Sequence, residues 1–260
     1  GNRGSLSRKT GYVKGMVLSM VRSQCRSKDD LAKQYMLKGR SSRSDALFKY
    51  RKSDEKTQLI ESSLLSLSLG LWESSGKYYA GRDITNASSN KAQTAEAGLF
   101  QTSQNVHYLG GKGYNHPWHK ALDKLEAEYA SKPGACMTDV FSQSFGISRG
   151  RRNVGSGSKG LRFQRLLKSC PAAAAEHIKI TMRYNSRHYG PLRKFRRSGS
   201  HTRRASMGLI DRCRPMFKEV YAYAEKNKET ACGALALDPS KFKAKPFGPG
   251  GGAPLTIISN

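Results

Sequence analysis

The run from Glu55 to Glu73 constrains this chain more than any other segment. Wound as a helix, it places Leu59, Ile60, Leu64, Leu65, Leu67, Leu69 and Leu71 on one wide apolar face, and Ser53-Asp54-Glu55 supplies an acidic start. A face that broad predicts a central buried helix over 55–73, with other elements packed around it. The run ends on a carboxylate, Glu73, followed by Ser74-Ser75-Gly76. A solvent-facing Glu at a helix end is the ordinary reading of such a residue, but the helix dipole opposes a carboxylate at a C-terminus, which makes a purely structural role less natural there. That dipole, together with burial against Trp72 and the leucines, is expected to raise the carboxyl pKa toward the range of a general acid.

The other periodic segments also read as helices. Lys28–Leu37 predicts a short helix with an acidic first turn, and 118–131 an amphipathic one through Leu122, Leu125 and Tyr129. Asp139-Val140-Phe141 and Leu161–Leu167 predict further helical pieces. Pro171 at a first turn opens a helix through Ala172–Arg187, and a last helix spans about Pro215–Lys226. No strand ladder or internal repeat emerges, so the expected class is mainly α. Three regions are expected. Residues 1–45 form a basic N-terminal extension, 46–235 the helical domain, and 236–260 a flexible tail carrying Gly248-Pro249-Gly250-Gly251-Gly252-Ala253-Pro254.

Lys and Arg number 46 against 19 Asp and Glu, a formal net charge of +27. Such a charge calls for a polyanionic partner, and nucleic acid, anionic cell wall and anionic membrane all qualify. No run approaches the roughly 18 apolar residues of a membrane span. The patch Tyr12–Leu18 is broken by Lys14 and Gly15 and makes a poor signal-peptide core, so the chain reads as a processed product or a piece of something longer. Cys25, Cys136, Cys170, Cys213 and Cys232 include no Cys-x-x-Cys pair, which disfavours a thiolate metal site. The four from Cys136 onward fit two disulfides outside the cytosol or buried thiols equally well.

Several motifs carry less than their pattern suggests. Gly155-Ser156-Gly157-Ser158-Lys159-Gly160 matches a dinucleotide-binding spacing, but Arg149-Gly150-Arg151-Arg152 before it is no buried strand, so it reads as a loop. His116 and His119 lack a third ligand, and no metal or cofactor is expected. Trp118 suits either a sugar-stacking platform or a core position. Asn86-Ala87-Ser88 is a glycosylation sequon only in a eukaryotic secretory setting. The arginines of 193–204, with Tyr189 and Phe195, suit a nucleic-acid surface, without any sequence-reading motif.

Beyond Glu73, the segment Ala97-Gly98-Leu99-Phe100-Gln101-Thr102-Ser103 combines a glycine turn with an apolar-Gln run. Together with Glu73-Ser74-Ser75-Gly76 it resembles the signature of lysozyme-like lytic transglycosylases and goose-type lysozymes. Gly98-Leu99-Phe100-Gln101 is similar to the family's second motif, with Phe100 where Met is common. Tyr184-Asn185 is similar to the start of the third, although Ser186-Arg187 follows. Gly81-Arg82-Asp83, Thr94-Ala95-Glu96 and Phe163-Gln164-Arg165-Leu166 look like a bacterial subgroup, and the likeness covers roughly residues 50–228. The resemblance implies a two-lobed helical domain with a cleft, acting on peptidoglycan at the bond between N-acetylmuramic acid and N-acetylglucosamine. Glu73 would be the acid, and Ser74, Gly98, Gln101 and Tyr184 would bind substrate or position the acid; Tyr184 suits a core aromatic equally. If hydrolysis needs a second carboxylate, Glu96 and Asp83 are the candidates. The setting implied is extracytoplasmic: secreted, periplasmic or carried on a phage particle. The alternative is an inactive, strongly basic protein that binds nucleic acid or belongs to a virion.

Overall fold

The computed structural model describes residues 9–37, 50–81, 91–108, 117–143, 159–184, 201–237, 242–244 and 255–257. Helix dominates, as the periodicity predicts. The order is α1 (Thr10–Cys25), α2 (Leu31–Leu37), α3 (Glu55–Ser74), α4 (Pro117–Ser131), α5 (Thr138–Ser142), α6 (Lys159–Ser169), α7 (Pro171–Tyr184), α8 (His201–Lys226) and α9 (Lys228–Leu237). Tight 3-10 turns lie at Gln104–Tyr108 and Pro133–Cys136. Two three-residue strands, β1 (Phe242–Ala244) and β2 (Leu255–Ile257), pair antiparallel with Phe242 opposite Ile257. So part of the segment expected as a flexible tail is hydrogen-bonded, while Gly248–Pro254 lie outside the described residues. No described helix is long and apolar enough to cross a membrane.

The helix starts follow their caps. Asp54 accepts from the Thr57 amide at 2.7 Å to open α3, and Asp30 accepts from the Ala32 amide at 2.8 Å to open α2. In α4, Trp118, Ala121, Leu122, Leu125 and Tyr129 are buried at helical spacing. The reading of Pro215 as a helix start is corrected, because α8 begins at His201 and carries Pro215 inside it. Leu209, Ile210, Cys213, Met216, Phe217, Val220, Tyr221 and Ala224 form one buried stripe running past the proline. Burying such side chains gains about 1.5–3 kcal/mol each, which offsets the ~3 kcal/mol cost of an interior proline.

The larger correction concerns residues 10–37, expected as part of a basic extension. Almost every residue of α1 from Gly11 to Val21 is buried, and Tyr12, Val13, Met16, Val17, Leu18, Met20 and Val21 belong to the main core. The Tyr12 hydroxyl donates to the Leu67 carbonyl of α3 at 2.7 Å. Gly15 admits the Phe141 ring of α5, which any Cβ there would strike. The glycine that weakened the apolar patch in the sequence is therefore a packing requirement. Cys25, from the end of α1, is bonded to Cys232 of α9, and Cys136 to Cys170. Cys213 remains a buried thiol.

Where α1, α4 and α7 meet, the core is charged. Glu176 of α7 is fully buried and accepts two hydrogen bonds from Arg26 Nε at 3.1 Å and one from Arg26 Nη2 at 2.6 Å. Ser23 and Tyr129 hydroxyls donate to the same carboxylate at 2.9 and 3.0 Å. Arg26 also reaches Asp30 and Glu128, at 2.9 and 2.8 Å. Lys179, equally buried, donates to the Ser19 carbonyl and the Ser23 hydroxyl. Burial alone would raise the Glu176 pKa, but the Arg26 guanidinium outweighs it, with help from Lys179 and Arg22, and holds the carboxyl down at about 2. Burial pushes Lys179 down to about 8 despite the attraction of Glu176.

Two predictions follow from these crosslinks and charges. Glu176 titrates near 4.5 when unfolded and about 2 when folded, so its stabilisation is full above 4.5 and is lost as pH falls toward 2. Chemical denaturation across that window should show a loss of about 3 kcal/mol that is absent from Glu176→Gln, itself about 3–5 kcal/mol less stable at neutral pH. Reduction should lower the melting temperature steeply. The Cys25–Cys232 bond, which spans 207 residues, should contribute about 5 kcal/mol, and Cys136–Cys170, which spans 34, about 4 kcal/mol. Calorimetry of Cys25→Ala and Cys136→Ala variants checks the order.

Candidate active site

The site is built on the C-terminal end of α3. There the Gly70 carbonyl accepts from the Ser74 hydroxyl at 3.0 Å, from the Ser75 amide, and from the Gly76 amide at 3.0 Å. Ser75 turns the chain with φ 57° and Gly76 with φ 82°, the left-handed conformations that end helices. Gly76 also lies over the Tyr12 ring, where a Cβ would come within 3.1 Å. Ser74 is therefore buried and spent on closing the helix. Glu73 sits in this last turn, half-buried. Trp72, expected to help bury it, is instead 50% exposed, although Ser74 and Gly76 just beyond are buried.

The second segment folds back as a tight loop. Ala97 and Thr102 form an isolated antiparallel bridge, with the Ala97 amide donating to the Thr102 carbonyl at 2.9 Å. Gly98 takes φ 74°, and a Cβ on it would lie 2.7 Å from the Leu167 carbonyl oxygen of α6. Both constraints require glycine. Gln101 takes φ 46° and its Nε2 donates to the Gly98 carbonyl at 3.0 Å, so the side chain braces the loop while remaining partly exposed. Leu99 and Phe100 are buried beneath it.

The two segments meet at two points. The Gly98 amide donates to the Ala80 carbonyl at 2.9 Å, joining the loop to the stretch after α3. The Phe100 ring lies 3.1 Å from where a Gly70 Cβ would be, one turn before Glu73. α6 clamps the far side. Gly160 packs directly on the Ala92 carbonyl, and Gln164 donates to that carbonyl at 2.9 Å. The sequence reading missed these clamps, and only the glycines, at 98 and 160, signalled close backbone approach.

The remaining candidates are placed as follows. Glu96 is half-buried just before the bridge, and Tyr184 is the last residue of α7. Asp83, Asn86–Ser88, His116, Gly155–Ser158 and Tyr189–Phe195 lie outside the described residues. Trp118 is 1% exposed and stacks near His119 with ring centroids 4.3 Å apart, so it is a core residue and the sugar-platform option is withdrawn. Among the described residues no group of His, Cys, Asp and Glu could hold a metal ion. Comparison with protein-family models, curated proteins and solved structures gives no match.

The loop geometry is testable at Gly98. Gly98→Ala should cost about 2 kcal/mol or more in denaturant unfolding, from the left-handed backbone and the displaced Leu167 carbonyl. Gly134→Ala, where a Cβ meets nothing within 4 Å, should change stability by less than about 0.5 kcal/mol.

Proposed function

We propose that the chain is a peptidoglycan-cleaving enzyme, a muramidase or lytic transglycosylase in which Glu73 is the general acid. The observation that carries this reading is the packing of the Gly98–Gln101 loop, through Phe100, on the helix turn that precedes Glu73. This contact joins the helix that carries Glu73 to the loop that carries Gln101, and a carboxyl and a polar side chain are the groups a glycan site would need at its scissile oxygen. Glu73 would protonate the leaving oxygen. Gln101, already braced by Gly98, would present its remaining polar atoms to the sugar, and Glu96 would be the base if water attacks. Ser74 would hold the last turn rather than touch substrate. Two disulfides suit an extracytoplasmic setting, and the charge of +27 suits an anionic wall.

Purified peptidoglycan should release soluble muropeptides with the wild-type chain, and Glu73→Gln should slow release by about 10²–10⁴-fold. Product mass then separates anhydro ends, formed when the muramic 6-hydroxyl attacks, from reducing ends, formed by water. No release by folded wild type on several wall types would overturn the reading. Salt-sensitive nucleic-acid binding that survives Glu73→Gln would then favour the basic binding protein.

A further inference from the structure

The exposed positions of α6 are Lys159, Arg162, Arg165 and Ser169, and the helix contains no acidic residue. The cations recur at every third position, so they form a row that winds slowly round the helix with about 4.5 Å of rise between neighbours. Among the described residues no acid pairs with Arg162 or Arg165. α8 is different, because its exposed Arg212, Lys218 and Lys226 are interspersed with exposed Asp211, Glu219 and Glu225.

The other side chains of α6 are engaged elsewhere. Gln164 donates to the Ala92 carbonyl, and the Ser169 hydroxyl donates to the Arg165 carbonyl at 2.8 Å. Leu161, Phe163 and Leu167 are buried. The outer face therefore offers charge, without the aromatic rings on which single-stranded bases stack and without the apolar side chains that a membrane-surface helix turns toward lipid. What fits it is an anionic chain recognised by its phosphates alone.

The row is also fixed in place. Gly160 packs on the Ala92 carbonyl, the Leu167 carbonyl meets Gly98, and Cys170, just past the helix, is bonded to Cys136. The contact with Ala92 brings the exposed Lys91 to the start of the helix. Cations held on a rigid element bind a polyanion without first being ordered.

We infer that the outer face of α6, with Lys91, docks a polyol-phosphate polymer: a phosphodiester chain without bases, of the kind attached to peptidoglycan. The Arg162 and Arg165 guanidiniums match pairs of phosphate oxygens, and Lys159 and Lys91 add point charge. The choice of a wall polymer rests on the glycan-cleaving reading, whereas the anion-binding face does not. Docking there would hold the chain on its wall through residues separate from Glu73, so binding and cleavage can be measured apart.

The test titrates the full-length chain into end-labelled poly(glycerol phosphate) at rising salt, read by fluorescence anisotropy. Single-stranded and duplex DNA of matched phosphate number and phosphatidylglycerol vesicles are the comparison ligands. The expected result is saturable, salt-sensitive binding, tightest for the polymer. Arg162→Gln/Arg165→Gln should weaken it roughly tenfold or more and make its logarithmic salt dependence shallower by about one to two. Arg212→Gln/Lys218→Gln removes the same charge from α8 and should cost less than about twofold. Thermal melting checks that both variants fold. On peptidoglycan stripped of the polymer, Arg162→Gln/Arg165→Gln should release muropeptides within about twofold of wild type. No binding, or an equal loss from the two variants, would overturn the α6 surface. DNA or vesicles bound more tightly than the polymer, through the same two arginines, would overturn the polymer as its occupant. Polymer binding that depends on Arg162 and Arg165, with no muropeptide release by wild type, would keep the surface and remove the enzyme.

Discussion

The structure depends on one buried ion pair, Arg26 with Glu176. Removing both charges from water costs several kcal/mol per ion, and that cost is offset only if every lone pair finds a donor. Here the Glu176 carboxylate collects Arg26, Ser23 and Tyr129, and Lys179 sits behind it on Ser19 and Ser23. Those donors come from the end of α1 and from α4, while the acceptor is on α7. The pair therefore determines which helices share the centre. It also shows how a chain of such high net charge places cations in its interior: Arg26 meets Glu176, Lys33 meets Glu55, and Lys179 and Arg183 donate to backbone carbonyls and neutral side chains. Arg214 with Glu61, at 2.7 Å, repeats the device between α8 and α3.

From that centre the packing leads outward to the candidate site. α1, held by Arg26 at its far end, lays Tyr12 under the last turn of α3. The same turn receives Phe100 from the 97–102 loop, and α6 backs that loop through Leu167 and the preceding Ala92 turn through Gly160 and Gln164. Glu73 thus rides on a helix end gripped from two sides. Such a fixed position would suit the proton donor proposed for Glu73, because small misplacements of a reacting group are costly. Trp72 is exposed and Gln101 partly so.

Much of this was legible in the sequence, for physical reasons. The helices over 55–74, 117–131, 159–169 and 171–184 follow from apolar period and caps, both local properties. The glycine at 98 pointed to a turn, and it is one. The role of α1 was not legible. Its apolar run contains Lys14 and Gly15, and its rationale lies in Phe141 and Glu176, far along the chain. Cysteine connectivity failed for the same reason, since Cys25 pairs across 207 residues. Pro215 misled because a local breaker was weighed above a stripe that continues on both sides of it. Trp72 and Trp118 could not be ranked by composition: one is exposed and the other buried through tertiary packing alone.

The lysozyme-like reading draws on the likeness of two short segments and on their adjacency in space. Its central claim is that a glycan lies across the end of α3 with its scissile bond at Glu73. The most direct measurement is a crystal structure of the Glu73→Gln chain soaked with a peptide-free glycan strand. The account predicts a glycosidic oxygen within hydrogen-bonding distance of residue 73. A strand bound elsewhere, with the α3 end and the 97–102 loop untouched, would contradict it.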